Sequence, residues 1–111
     1  MKAAIVDNDL LLAGKLAAGL RALGHEVRIV GSFDQVGSAD IAFVNLGNRK
    51  LGALEGLADF RALFSGKIVG YAGHREKEIH ARGRELGCDL TATNREIVSR
   101  LGPLISRTFR V

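Results

Sequence analysis

The feature that most constrains this chain is an alternation that recurs five times: a short apolar run, then a longer stretch with helical spacing. The runs are Ala3–Val6, which stops at Asp7, then Val27–Val30, Ile41–Val44, which stops at Asn45, Lys67–Tyr71 and Cys88–Ala92. Short runs of this kind, with little polar alternation inside them, read as strands buried on both faces of a parallel sheet. The intervening stretches read as the crossovers that such a sheet requires.

Each crossover carries its own signals. Asp9 is placed to cap a helix whose apolar face runs through Leu12, Leu16, Leu20 and Leu23, with Gly24 at a left-handed exit. Ser32 to Gly37 is too short for a full helix, so the second crossover is expected to be one or two turns. Residues 46–52 read as a polar, glycine-flanked loop, followed by a helix presenting Leu54, Leu57, Ala58, Phe60, Arg61 and Phe64, with Gly66 past its end. Arg75–Leu86 reads as a helix with a thin apolar stripe, Ile79 and Leu86. Its interior Gly83 costs about 1 kcal/mol relative to alanine, so this helix is expected to be held loosely. Thr93 and Glu96 form the pattern of a capping box. The last helix carries Ile97, Val98, Leu101, Leu104 and Ile105, with Pro103 expected to kink or interrupt it.

Strands and helices in this order predict an α/β domain: a doubly wound, five-stranded parallel sheet of the flavodoxin-like (βα)5 kind, with a reduced second helix. The 111 residues suit one domain, residues 1–111, and at 47% apolar and 25% charged they exclude a disordered chain. Sites in such sheets form beyond the carboxyl ends of the strands, which directs attention to Asp7, Asn8, Asp9, Asn45, Tyr71 and residues 91–94.

Other chemistry is thinly represented. The single Cys88 forms no internal disulfide, supplies no Cys-rich zinc site and reads as a small buried apolar group. His74 and His80 are six apart, which is the wrong spacing for a metal pair on one helical face, and His25 reads as a solvated turn residue. Gly70–His74 is glycine-rich but lacks the spacing of a phosphate-binding loop. No metal or cofactor is expected. No apolar run approaches the roughly 18 residues of a membrane span, and Met1 leads straight into the first run, so no signal peptide and a cytoplasmic location are expected.

The net charge of +4 is uneven: residues 1–66 are balanced, and residues 67–111 carry nine basic and five acidic side chains. This basic half leaves weak nucleic-acid binding as an alternative. Glu76, Glu78, Glu85 and Glu96 interleave with the arginines, however, and no aromatic residues are spaced for base stacking, so nucleic acid is not the expected partner.

At the strand ends the chain resembles a receiver domain of two-component response regulators, from Lys2 to about Ser106. The resemblance rests on Ala-Ile-Val-Asp-Asn-Asp (4–9), Leu-Arg-Ala-Leu-Gly-His-Glu-Val (20–27), Asp-Ile-Ala-Phe-Val-Asn-Leu (40–46) and Leu-Gly-Cys-Asp (86–89), in order and at the family's spacing. In that family two acidic groups after the first strand help hold Mg²⁺, and an aspartate ending the third strand attacks phosphorus. A hydroxyl ending the fourth strand and a lysine after the fifth bond the new phosphoryl oxygens. Here Asp7 keeps the first acidic position, but Asn8 takes the second, Asn45 the nucleophile's, Tyr71 the hydroxyl's and Asn94 the lysine's. A carboxamide has no anionic oxygen with which to form an acyl phosphate. With Asp7, and Asp9 at the edge, as its only charged ligands, the site is expected to bind Mg²⁺ poorly.

The resemblance therefore implies a pseudo-receiver: a non-enzymatic signalling domain, independent of phosphorylation, that acts by binding a protein partner. A homodimer is compatible with it, and a small-ligand sensor using the strand-end pocket is the alternative. Receivers commonly present the face around their fifth strand, which here predicts a partner surface of Arg75, Lys77, Glu78, Arg82, Arg84, Thr91 and Arg95. Family receivers also couple the fourth-strand hydroxyl to a mobile aromatic on strand five. With Tyr71 and Thr91 at those positions, the Tyr71 ring is expected to fill the space that aromatic would visit, fixing one conformation.

Overall fold

Five parallel strands form one sheet in the order β2-β1-β3-β4-β5. They are β1 (Lys2–Val6), β2 (Glu26–Val30), β3 (Ile41–Asn45), β4 (Lys67–Ala72) and β5 (Leu90–Thr93). Helices α1 (Leu10–Ala22), α2 (Ala53–Leu63), α3 (Lys77–Leu86), α4 (Asn94–Ser99) and α5 (Leu101–Thr108) cover the two faces. This computed structural model describes residues 1–110; Val111, the last residue of the domain expected from the sequence, lies outside them. The chain is the doubly wound flavodoxin-like domain that the alternation predicts. Its second crossover is only a 3₁₀ turn, Phe33–Gln35.

Two cores flank the sheet. On one face Ile5, Phe43, Val69 and Tyr71 pack against Leu16 and Leu20 of α1, Ile97 of α4, and Leu101 and Leu104 of α5. On the other, Val6, Val44 and Ile68 pack against Leu57 and Phe60 of α2, with Ile79 and Leu86 of α3 at the margin. Alternate residues of one strand therefore serve opposite cores, as the pleat demands.

The helix signals are used largely as read. Asp9 caps α1 by accepting from the Leu12 amide at 3.2 Å, and Gly24 leaves the helix at φ 89°. Thr93 and Glu96 exchange both bonds of the capping box, at 3.1 and 3.0 Å. The final helix breaks at Arg100, and Pro103 sits in the first turn of α5, where a missing N–H costs no intrahelical bond.

Four readings are corrected. Leu23, expected on the buried face of α1, is the residue at its C-cap and is 49% exposed; Ala13 and Ala17 complete the inner face instead. Leu46 opens the loop expected to be polar, yet it is buried against Gly70 of β4 and Gly83 of α3. That contact overturns the reading of Gly83 as a loosening residue. Gly83 is buried, and a Cβ there would stand 2.5 Å from Leu46 Cδ1. It is the point where α3 approaches the sheet. The helix itself begins at Lys77, two residues later than expected.

Candidate functional site

The parallel register sets Asn45 of β3 beside Tyr71 of β4, and Asp7 follows β1 next to them. All three side chains are buried, Asp7 to 1% exposure. A buried carboxylate needs partners for its oxygens, and Asp7 has them on both. Its Oδ2 accepts from Asn45 Nδ2 at 3.0 Å and from the Tyr71 hydroxyl at 2.7 Å. Its Oδ1 accepts from the Asp9 backbone N–H at 2.9 Å and from Asn48 Nδ2 at 3.2 Å.

The amides are held in the orientation this network needs. Asn45 Oδ1 accepts from the Gly47 N–H at 3.1 Å, which turns its NH₂ toward Asp7. Asn48 Oδ1 accepts from the Leu51 N–H at 3.3 Å, which turns its NH₂ toward Asp7 Oδ1 and Asn8 Oδ1. Burial pushes the Tyr71 phenol far above its ordinary value, and the neighbouring Asp7 charge and hydrogen bond push it further. Tyr71 is therefore a neutral donor across the working pH range. Four donors for one carboxylate account for its full complement of lone pairs.

This arrangement does not fit Mg²⁺. That ion demands octahedral oxygen ligands at short range, and the Asp7 oxygens already face protein donors. Of the other carboxylates near the site, Asp9 caps α1 and Glu76 accepts from the Gly73 N–H at 2.9 Å. Among the described residues no three His, Cys, Asp or Glu side chains gather as ligands.

The remaining predicted positions divide. Asn8 is exposed and joins the network through Asn48. Asn94 begins α4 without joining it, and its Oδ1 is buried with no partner. Asn8, Asn45, Asn48, Glu76 and Asn94 border an open cavity of about 620 Å³ above the strand ends. Thr91 lies on the opposite face of the sheet from Tyr71, since Tyr71 is in register with Ala92. Its hydroxyl accepts from Arg84 Nη1 at 3.0 Å. The Tyr71 ring does not face Thr91: Leu46, packed between Gly70 and Gly83, lies on that side, and Tyr71 belongs to the core under α1, α4 and α5.

Of the predicted partner surface, Arg75, Lys77, Glu78, Arg82, Arg84 and Arg95 are exposed and Thr91 is half-buried. Arg82 pairs with Glu85 at 3.1 Å on the same helix. The reading of the sequence missed Asn48 as a member of the strand-end network. Its signal was an Asn three residues past a strand end, a residue type that accepts from nearby backbone N–H groups, here that of Leu51 three residues on.

Comparison with known proteins bears on the fold. No protein-family model matches the sequence, and no curated protein matches it. Solved structures do. A two-component response regulator from Clostridium difficile superposes with a TM-score of 0.84 at 16% identity, over 99% of this chain and 96% of that one. The receiver domain of the TMAO respiratory system response regulator TorR gives 0.77 at 20%, over 96% and 98%. NtrX from Brucella abortus gives 0.84 at 18%, over 96% of this chain but 27% of its own. The fold is that of response-regulator receiver domains. None of the described helices is long and apolar enough to cross a membrane.

Proposed function

We propose that this chain is a receiver-like signalling domain that works without phosphorylation, by binding a protein partner. The single observation that carries this is the saturation of Asp7 by Asn45, Tyr71, Asn48 and the Asp9 amide. In a phosphorylatable receiver the third-strand residue is a nucleophilic carboxylate beside a metal. Here the third strand ends in a carboxamide that donates into the remaining acid. Neutral donors around one buried carboxylate make a self-contained network with no reacting group left over. A domain with its strand-end site locked in one arrangement has a constant surface to offer. The exposed charges of α3 and α4, Arg75, Lys77, Arg82, Arg84 and Arg95 with Glu78, form the surface we assign to an acidic partner. Charges of this kind act more on encounter rate than on final affinity.

The test is intact-mass spectrometry after incubation with Mg²⁺ and acetyl phosphate. The expected result is no added phosphoryl mass. An adduct mapped to the strand-end pocket contradicts the proposal.

The cavity of about 620 Å³ and the partnerless Asn94 oxygen favour a second reading, a sensor of a small polar ligand that brings a hydrogen-bond donor. An Asn94→Leu variant that loses its response to such a ligand, with no change in partner capture, would separate the two.

A further inference from the structure

The shortened second crossover has a consequence on the α2 side of the sheet. Where a full helix would pack beside α2, a single 3₁₀ turn delivers one large side chain, Phe33. Phe33 stacks on Phe60 with ring centroids 4.5 Å apart, and Phe60 stacks on Phe64 at 4.8 Å. Gly56 permits this approach, since a Cβ there would stand 3.3 Å from the Phe33 ring. The three rings form the floor of a groove of about 360 Å³. Leu63, at the end of α2, forms one wall and is 90% exposed.

The exposed Leu63 and the ring floor together leave a continuous apolar surface that a partner's side chain can cover. The charged side chains among the groove's lining residues are acidic. Asp34 and Asp59 line it, and both are exposed. Glu55 lies one turn earlier on α2 and is exposed as well. The arginines of the adjoining elements are turned onto main-chain carbonyls: Arg28 onto those of Gln35 and Val36, Arg61 onto those of Phe64 and Gly66 and onto Asp89. Two exposed carboxylates thus line an apolar groove on a chain whose net charge is +4, with the Arg28 guanidinium beside Gly37 at one edge.

We propose that this groove docks a short amphipathic segment of another protein, with an aliphatic or aromatic anchor flanked by lysine or arginine. Its size suits one or two anchor side chains, the helix-in-groove mode of recognition. The charge pattern disfavours a second copy of this chain, because an isologous contact would set Asp34, Asp59 and Glu55 against their own counterparts. The surface is separate from the α3 and α4 face assigned above, so its test stands or falls independently of that assignment.

The test is an amide NMR titration of the full chain with a synthetic helical peptide of about three turns, bearing Leu and Phe on one face and lysines beside them. Saturable shifts are expected at Phe33, Gly37, Gly56 and Leu63. Leu63→Ser should weaken binding about tenfold, and Asp59→Lys a few-fold, more at low salt. Both positions are exposed, so the thermal midpoint should hold. A peptide with glutamates in place of the lysines should bind several-fold more weakly. The proposal is overturned by the absence of saturable shifts, by shifts confined to other faces, or by equal binding of the glutamate peptide. It is equally overturned if sedimentation shows a dimer that Leu63→Ser dissolves.

Discussion

Replacing Tyr71 by Phe removes one oxygen and leaves the ring, so the core under α1, α4 and α5 keeps its packing. What is lost is the 2.7 Å hydrogen bond to Asp7 Oδ2, inside a site with no route to bulk water for the hydroxyl. Hydrogen bonds to charged groups contribute about 1.5–3 kcal/mol, and the Asp7 oxygen retains only Asn45 afterwards. A loss of about 2 kcal/mol corresponds to a drop of roughly 9 °C in thermal midpoint for a domain of this size. The pH dependence provides a second readout. Tyr71 holds its proton far above the ordinary tyrosine range in the folded state. Above about pH 10 the unfolded chain releases that proton first, so stability falls by up to about 1.4 kcal/mol per pH unit. The Phe variant lacks this slope. In urea melts the gap between the two proteins should therefore be constant below about pH 9 and shrink above pH 10. A cost under about 0.5 kcal/mol, or a gap that stays constant through pH 11, would refute the claim that this hydroxyl donates into a buried carboxylate.

Asn45→Asp should not restore phosphorylation, because Asn8 and Asn94 remain. It should also destabilise by about 2 kcal/mol or more, since a donor to Asp7 becomes a second carboxylate; one of the pair keeps its proton in the folded state, so the loss grows as pH rises above about 4 and is relieved in acid. Gly83→Ala should lower stability by about 1–3 kcal/mol in chemical denaturation, despite the better helix propensity, because its Cβ meets Leu46. Cys88 is pushed up to about 12 by burial. The unfolded thiol ionises first, so wild-type stability should fall between about pH 8.5 and 12, and Cys88→Ala should flatten that part of the curve. Charge reversal at Arg82 and Arg84 should slow partner association, most at low salt, while moving stability by less than about 0.5 kcal/mol, since both side chains are exposed.

Much of the fold was legible because a strand buried on both faces is apolar throughout, so Ile41–Val44 and Ala3–Val6 could be nothing else in a chain this short. The caps were legible for a similar reason: Asp9, Thr93 and Glu96 each perform a local task with their own backbone neighbours. What stayed hidden depended on contacts across the sheet. Leu46 sits in a glycine-flanked polar stretch, and only the assembled packing of α3 on β4 shows that it fills the space left by Gly70 and Gly83. The same packing gives Gly83 its purpose, which composition suggested was looseness. Asn48 was hidden because its partner, Asp7, is 41 residues away in sequence. Tyr71 stood at a recognised position, but nothing local could show that its hydroxyl turns inward to the acid.

The central claim is that the strand-end carboxylate is closed to metal and phosphoryl groups by its own donors. The most direct measurement is an amide NMR titration of the chain with Mg²⁺ followed by beryllofluoride, reading Asp9, Asn45, Gly47 and Tyr71. The account predicts no saturable shift of these four resonances under either addition. Site-specific saturation at Asp9 and Gly47 with Mg²⁺, extended to Asn45 and Tyr71 on adding beryllofluoride, would contradict it.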